Sequence, residues 1–155
     1  MSFRRVPLFF VFCLVWLLKT GSAFGQETAS VTAGSNFPNR FTGRQIVVEL
    51  GSGENRSEYR LLDTGLLYYR KGSEGPFTQL GQQKKDSTQK MFARLEQDCK
   101  IKTAKQEKPE KPDVTITWKK AKTEFAVGWE NGKAPDVCER FYERFMEMFP
   151  KSRKK

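Results

Sequence analysis

At 155 residues, with 28 basic side chains against 18 acidic ones and no histidine, the chain carries a formal net charge of +10. That length fits one domain with a single core, and the missing imidazole excludes Ser-His and Cys-His nucleophilic sites and most zinc sites. The excess of lysine and arginine favours acidic partners, with an attraction that salt weakens.

The first residues have the layout of a cleavable secretory signal, assigned to residues 1–25. Arg4 and Arg5 precede an apolar run, Val6 to Leu18, and the small residues Gly21, Ser22, Ala23 and Gly25 follow. The run is about 13 residues, short of the roughly 20 that a spanning helix needs. Cleavage is expected after Gly25, leaving Gln26 first, with the position after Ala23 as the alternative. Cys13 follows Phe12 in mid-run rather than a small residue, which argues against lipidation, and Pro7 argues against a twin-arginine signal.

Loss of Arg4, Arg5 and Lys19 leaves 25 basic and 18 acidic residues, a working charge of +7. The expected location is exported, periplasmic or secreted. Two cysteines remain, Cys99 and Cys138, and an even count in an oxidising compartment predicts a disulfide. The loop it would close, about 40 residues long, is worth on the order of 4 kcal/mol in the chain-entropy model. Two buried free thiols are the alternative.

Residues 26–41 are mostly small and polar and read as a flexible N-terminal lead. A single α+β domain is expected over 42–150. Ile46, Val48 and Leu50 alternate with Gln45, Val47 and Glu49, the pattern of a strand. Gly51 to Asn55 is a turn. Tyr59–Leu62 and Leu66–Lys71 are two further strands around Asp63-Thr64-Gly65, and Phe77–Leu80 is a short fourth. The period then becomes helical: Asp86 is placed as a cap with Gln89 in capping-box register, and Met91, Phe92, Leu95 and Cys99 share one side. The segment Lys100 to Pro112 reads as a solvated charged loop. Val114, Ile116 and Trp118 pair with Phe125, Val127 and Trp129 in a hairpin with an aromatic inner face. Asn131-Gly132 turns the chain, and Asp136 is placed as the cap of a last helix lined by Phe141, Phe145, Met148 and Phe149. Residues 151–155 form a basic tail. The expected fold is an antiparallel β-meander, helix, β-hairpin and helix, with two helices packed on one face of the sheet.

The sharpest string of chemical interest is Leu61-Leu62-Asp63-Thr64-Gly65. It resembles the active-site loop of aspartic proteases, which implies a dimer sharing a proton between two aspartates. Leu66 stands where that family uses Ala or Ser. The same string is also what a three-residue hairpin loop with a left-handed glycine looks like, and the turn is the preferred reading. Glu58 and Glu124 fall on the solvent phase of their strands and are expected on solvated surface. Ser87 and Lys90 match Ser-x-x-Lys spacing, read as a first-turn residue and a surface lysine. Gln45-Ile46-Val47 resembles the Gln-x-Val-x-Gly loop of cystatin-type inhibitors, with Glu49 where the glycine belongs.

Basic residues cluster at Lys100–Lys111, Lys119–Lys122 and Lys151–Lys155. Without stacking aromatics beside them, they do not point to specific nucleic-acid binding. Tyr68 and Tyr69 point to opposite faces, so one is expected to be exposed. With Lys119, Lys120 and Lys122 they are the candidate partner contacts.

The order of signal, meander, hairpin through Phe125-Ala126-Val127-Gly128-Trp129, turn at Asn131-Gly132 and terminal helix resembles small uncharacterised exported bacterial α+β domain proteins. The likeness is one of layout over most of residues 42–149 and brings no activity or functional residues with it. The sequence therefore leads to a non-catalytic exported binding domain, a monomer without cofactor or metal. Its partner would be an unidentified protein or an acidic envelope component, and it would not span the membrane once its signal is removed. A dimeric aspartic-type hydrolase using Asp63 is the alternative.

Overall fold

The structure is a computed structural model in which residues 33–35, 37–103 and 109–150 are described. The expected signal peptide, residues 26–32 of the lead, the middle of the charged loop and the basic tail at 151–155 lie outside the described residues. The fold is mixed α+β, built on an antiparallel sheet.

The strands are β1 (Ala33–Ser35), β2 (Arg44–Leu50), β3 (Ser57–Leu62), β4 (Leu66–Lys71), β5 (Phe77–Gln82), β6 (Val114–Lys120) and β7 (Thr123–Trp129). They lie in the order β1-β5-β4-β3-β2-β6-β7. The first hairpins therefore run outward from β2, and the later hairpin adds β6 and β7 on its other side. A helical turn, α1 (Phe37–Arg40), joins β1 to β2, while α2 (Lys85–Gln97) and α3 (Asp136–Met146) follow the two sets of strands.

Register assigns each side chain to a face, because side chains alternate along a strand. Ile46 pairs with Leu61 and Trp118, and Val48 with Tyr59 and Ile116. Trp118, Ile116 and Val114 continue to Phe125, Val127 and Trp129. All but the partly buried Tyr59 and Phe125, which pack against it, join Met91, Phe92 and Leu95 of α2 and Phe141 and Phe145 of α3 in one buried cluster. The opposite face carries Gln45, Val47 and Glu49 against Leu62, Arg60 and Glu58. A smaller cluster of Leu62, Tyr68 and Phe77 sits there, with Phe41 and Leu66 against it.

Four expectations are corrected. Within the stretch read as a loose lead over 26–41, β1 pairs with β5 and α1 buries Pro38. Neither main helix is capped as expected: α2 begins after Lys84 and α3 after Pro135, both extended and without a side-chain capping bond. Asp86 and Asp136 instead lie in the first turns, where a negative charge still complements the helix dipole. Cys99 lies past the end of α2, its N–H donating to the Arg94 carbonyl at 3.2 Å. Lys100 then takes a left-handed φ of 51°, and the Ile101 N–H reaches back to the Leu95 carbonyl at 3.4 Å, a Schellman-type ending. That ending buries Ile101 in the main cluster, inside a segment read as solvated loop.

Two side-chain hydrogen bonds link distant parts of the chain. The Trp118 indole N–H donates to Glu96 on α2 at 2.7 Å, and Gln83 donates to the Met148 carbonyl at 2.9 Å. Burial, with smaller contributions from Tyr69 and Tyr142, raises the pKa of Tyr59 above its usual value near 10. Burial alone raises Tyr68 and Tyr142. The folded state thus holds these phenolic protons more tightly than the unfolded chain does. Their contribution to stability is complete below pH 10 and is lost as pH rises through the folded values. Unfolding followed by urea at successive alkaline pH values should show stability falling above pH 10, in step with tyrosinate absorbance. A flat profile there would contradict the packing described.

Candidate functional site

The Asp63-Thr64-Gly65 loop is the hairpin turn between β3 and β4. The Gly65 N–H donates to the Leu62 carbonyl at 2.8 Å, and Gly65 has a φ of 90°. A Cβ at Gly65 would lie 2.5 Å from the Gln83 carbonyl oxygen, so no other residue fits. The Asp63 carboxylate accepts the Arg44 backbone N–H at 2.9 Å, and the Arg44 guanidinium stands 3.8 Å away. Asp63 thereby fastens the turn to the start of β2.

Tyr68 and Tyr69 do point to opposite faces, but neither is exposed. Tyr68 is 3% exposed, packed edge-on against Phe77 at 6.4 Å, with its hydroxyl donating to Gln79 at 3.2 Å. Tyr69 is half-buried on the other face, 5.0 Å from the Tyr59 ring. The proposed contact through an exposed tyrosine is corrected by this packing. Lys120 and Lys122 are exposed at the β6–β7 turn, and Lys119 stands 4.0 Å from Glu124 across the hairpin.

Cys99 and Cys138 meet in the core as thiols, not as a disulfide. Both are buried. The hydrogen bond to Cys138, then burial, then the charges of Cys138 and Asp98 push the Cys99 thiol far above its usual range. A thiol so held is a poor nucleophile at neutral pH.

Glu58 departs most from its sequence reading. It is on the face turned away from the helices, as its phase requires, yet it is 0% exposed. Arg60 and Arg70 both ion-pair with it, Arg70 Nε donating at 2.7 Å. Arg56 pairs with Glu49 and lies 3.7 Å from Glu58, relieving a like-charge pair placed directly across β2 and β3. The Arg60 and Arg70 guanidiniums each lie 4.6 Å from the centre of the Phe77 ring. Arg60 also donates to Gln45 at 3.3 Å, and Gln45 donates to the Phe41 carbonyl at 2.7 Å. Every charge here has a partner, so the cluster is a polar seal over the sheet rather than a free binding surface.

The opposite condition holds between α2 and α3. A cleft of about 390 Å³ is lined by Arg94 and Asp98 from α2 and by Val137, Arg140, Phe141 and Arg144 from α3. Residues 94 and 98 are one helical turn apart, and 137, 140, 141 and 144 form one face of α3. Phe141 is buried as the floor, while Val137 is 37% exposed. Arg140 and Arg144 are exposed and Arg94 is half-buried. None of the three guanidiniums makes an ion pair or side-chain hydrogen bond with a described residue. Cys99 and Cys138 adjoin the lining residues Asp98 and Val137 in the chain, so the thiol contact sits beside the cleft.

These arginines escaped the sequence reading, which weighed runs of lysine. Among the described residues no three Cys, Asp or Glu side chains gather in a way that could hold a metal ion. No helix among them is long and apolar enough to cross a membrane. No protein-family model matches the chain, and neither the curated proteins nor the solved structures contain a match.

Proposed function

We propose that this protein is an exported, non-catalytic binding domain that holds an acidic component of the cell envelope in the cleft between α2 and α3. The carrying observation is the set of three guanidiniums that make no ion pair with a described residue, outnumber the single carboxylate of Asp98 beside them, and converge on one cleft of ligand size. Arginine suits the task because its planar fork pairs bidentately with carboxylate or phosphate. Export rests on the N-terminal pattern, Arg4 and Arg5 before the apolar run Val6 to Leu18 and the small residues that follow it. Asp63, held by Arg44 in a turn, has a structural part in this reading.

Binding is tested by retention on envelope fractions and on a phosphate-bearing resin. The wild-type protein should be retained at low salt and released as salt rises, whereas Arg94→Gln/Arg140→Gln/Arg144→Gln should pass through. Equal retention of the two would remove the cleft from the account.

Export also gives the thiol pair a fate. While the chain is still unfolded and both thiols are accessible, thiol–disulfide exchange with a protein or small-molecule disulfide would join Cys99 to Cys138, releasing two thiols from the donor. The bridge would tie the end of α2 to the start of α3. Protein recovered from the exported fraction should resist alkylation until reduced, and reduction should lower stability by about 2–4 kcal/mol. Free alkylation at both positions without reductant, in denaturant, would contradict the bridge.

A further inference from the structure

The ligand class can be narrowed, resting on the binding role proposed above. We infer that the cleft between α2 and α3 takes a phosphate monoester whose phosphate meets Arg94, Arg140 and Arg144 while an apolar portion lies against Val137 and Phe141.

Charge argues for the head group. The lining holds three positive charges and one negative, Asp98, a surplus of two. A phosphate monoester carries close to two negative charges at neutral pH and offers three terminal oxygens. Three guanidiniums supply enough donors to meet them all, with a fork geometry that a single carboxylate cannot fill.

Size and the floor argue for the rest. A cleft of about 390 Å³ lies within the range of small-molecule sites. It is far larger than a bare phosphate needs, so a phosphate alone would leave Phe141 and Val137 against water. Val137 is one of two large hydrophobic residues left exposed among the described residues. Its neighbours on the α3 face, Arg140 and Phe141, place it in the cleft. An apolar group beside the phosphate would cover it and, by keeping water out, strengthen the ion pairs above it.

The test uses the purified protein and three probes, followed by nuclear magnetic resonance titration: phenyl phosphate, inorganic phosphate and phenol. Phenyl phosphate should bind about tenfold more tightly than inorganic phosphate, a difference of about 1.4 kcal/mol. Val137→Ser should weaken phenyl phosphate several-fold and leave inorganic phosphate unchanged. Arg140→Gln/Arg144→Gln should weaken both anions at least tenfold. All of these positions are exposed, so thermal unfolding should show the variants folded.

Equal affinity for phenyl phosphate and inorganic phosphate, with no effect of Val137→Ser, would overturn the monoester assignment while leaving an anion-binding role intact. Binding of phenol as tight as phenyl phosphate would overturn it by removing the charge. Failure of both anions to bind, or binding indifferent to the arginine substitutions, would overturn the proposed function as well.

Discussion

Glu58→Gln is expected to destabilise the protein by about 3–5 kcal/mol in urea unfolding, the loss typical of breaking a buried ion pair on one side. Glutamine keeps the shape of the side chain, so the change isolates charge from packing. Glu58 is fully buried, and Arg60 and Arg70 direct their guanidiniums at its two oxygens. Without the carboxylate, both cations stay against the Phe77 ring with no compensating charge, and Arg56 retains Glu49 alone. Glu124→Gln is the control: its side chain is 63% exposed and faces only Lys119 at 4.0 Å, so a change within about 0.5 kcal/mol is expected. If the two substitutions cost the same, Glu58 is solvated and the seal does not exist.

Phe145→Ala should cost about 3–5 kcal/mol, the range for truncating a buried aromatic residue. Phe145 is 0% exposed and sits between Phe141 at 5.9 Å and Phe149 at 5.1 Å. Removing it opens a void beneath Phe141, the floor of the cleft. A stability loss should therefore be accompanied by weaker anion binding, whereas Glu58→Gln, on the far face of the sheet, should leave binding intact while the protein is folded. A loss below about 1.5 kcal/mol would mean that the helices are not packed on the sheet as described.

The strands were legible because their period of two survives in one dimension. Ile46, Val48, Ile116, Trp118, Val127 and Trp129 alternate cleanly, and all six enter the main core. The turn at Asp63-Thr64-Gly65 was legible for a similar reason, since three residues with glycine last between two strands specify a left-handed closing position. The helix starts were missed because Asp86 and Asp136 have the residue type of a cap but occupy first-turn positions. Lys84 and Pro135 stand at the caps with extended backbone and no side-chain bond.

Alternation names the face on which Glu58 lies but not what covers it. Covering depends on cross-strand register, which sets Glu58 opposite Arg70 on β4 as well as opposite Glu49 on β2. The cleft was hidden in another way. Arg94 and Arg140 are far apart in sequence and become neighbours only when α2 and α3 come side by side. The signal that could have found them was the pairing of Cys99 with Cys138, used as a distance restraint. It brings Asp98 next to Val137, and helical spacing then carries the search to Arg94, Arg140 and Arg144.

The central claim is that the arginines between the helices, rather than the lysines of the sheet hairpin, meet the ligand. The most direct measurement is the map of backbone and arginine side-chain resonances of isotope-labelled protein titrated with phenyl phosphate. Shifts concentrated at residues 94–98 and 137–144, with the Arg140 and Arg144 side-chain signals among the largest, are the predicted result. Shifts centred on Lys119, Lys120 and Lys122, or spread evenly over the basic surface, would contradict it.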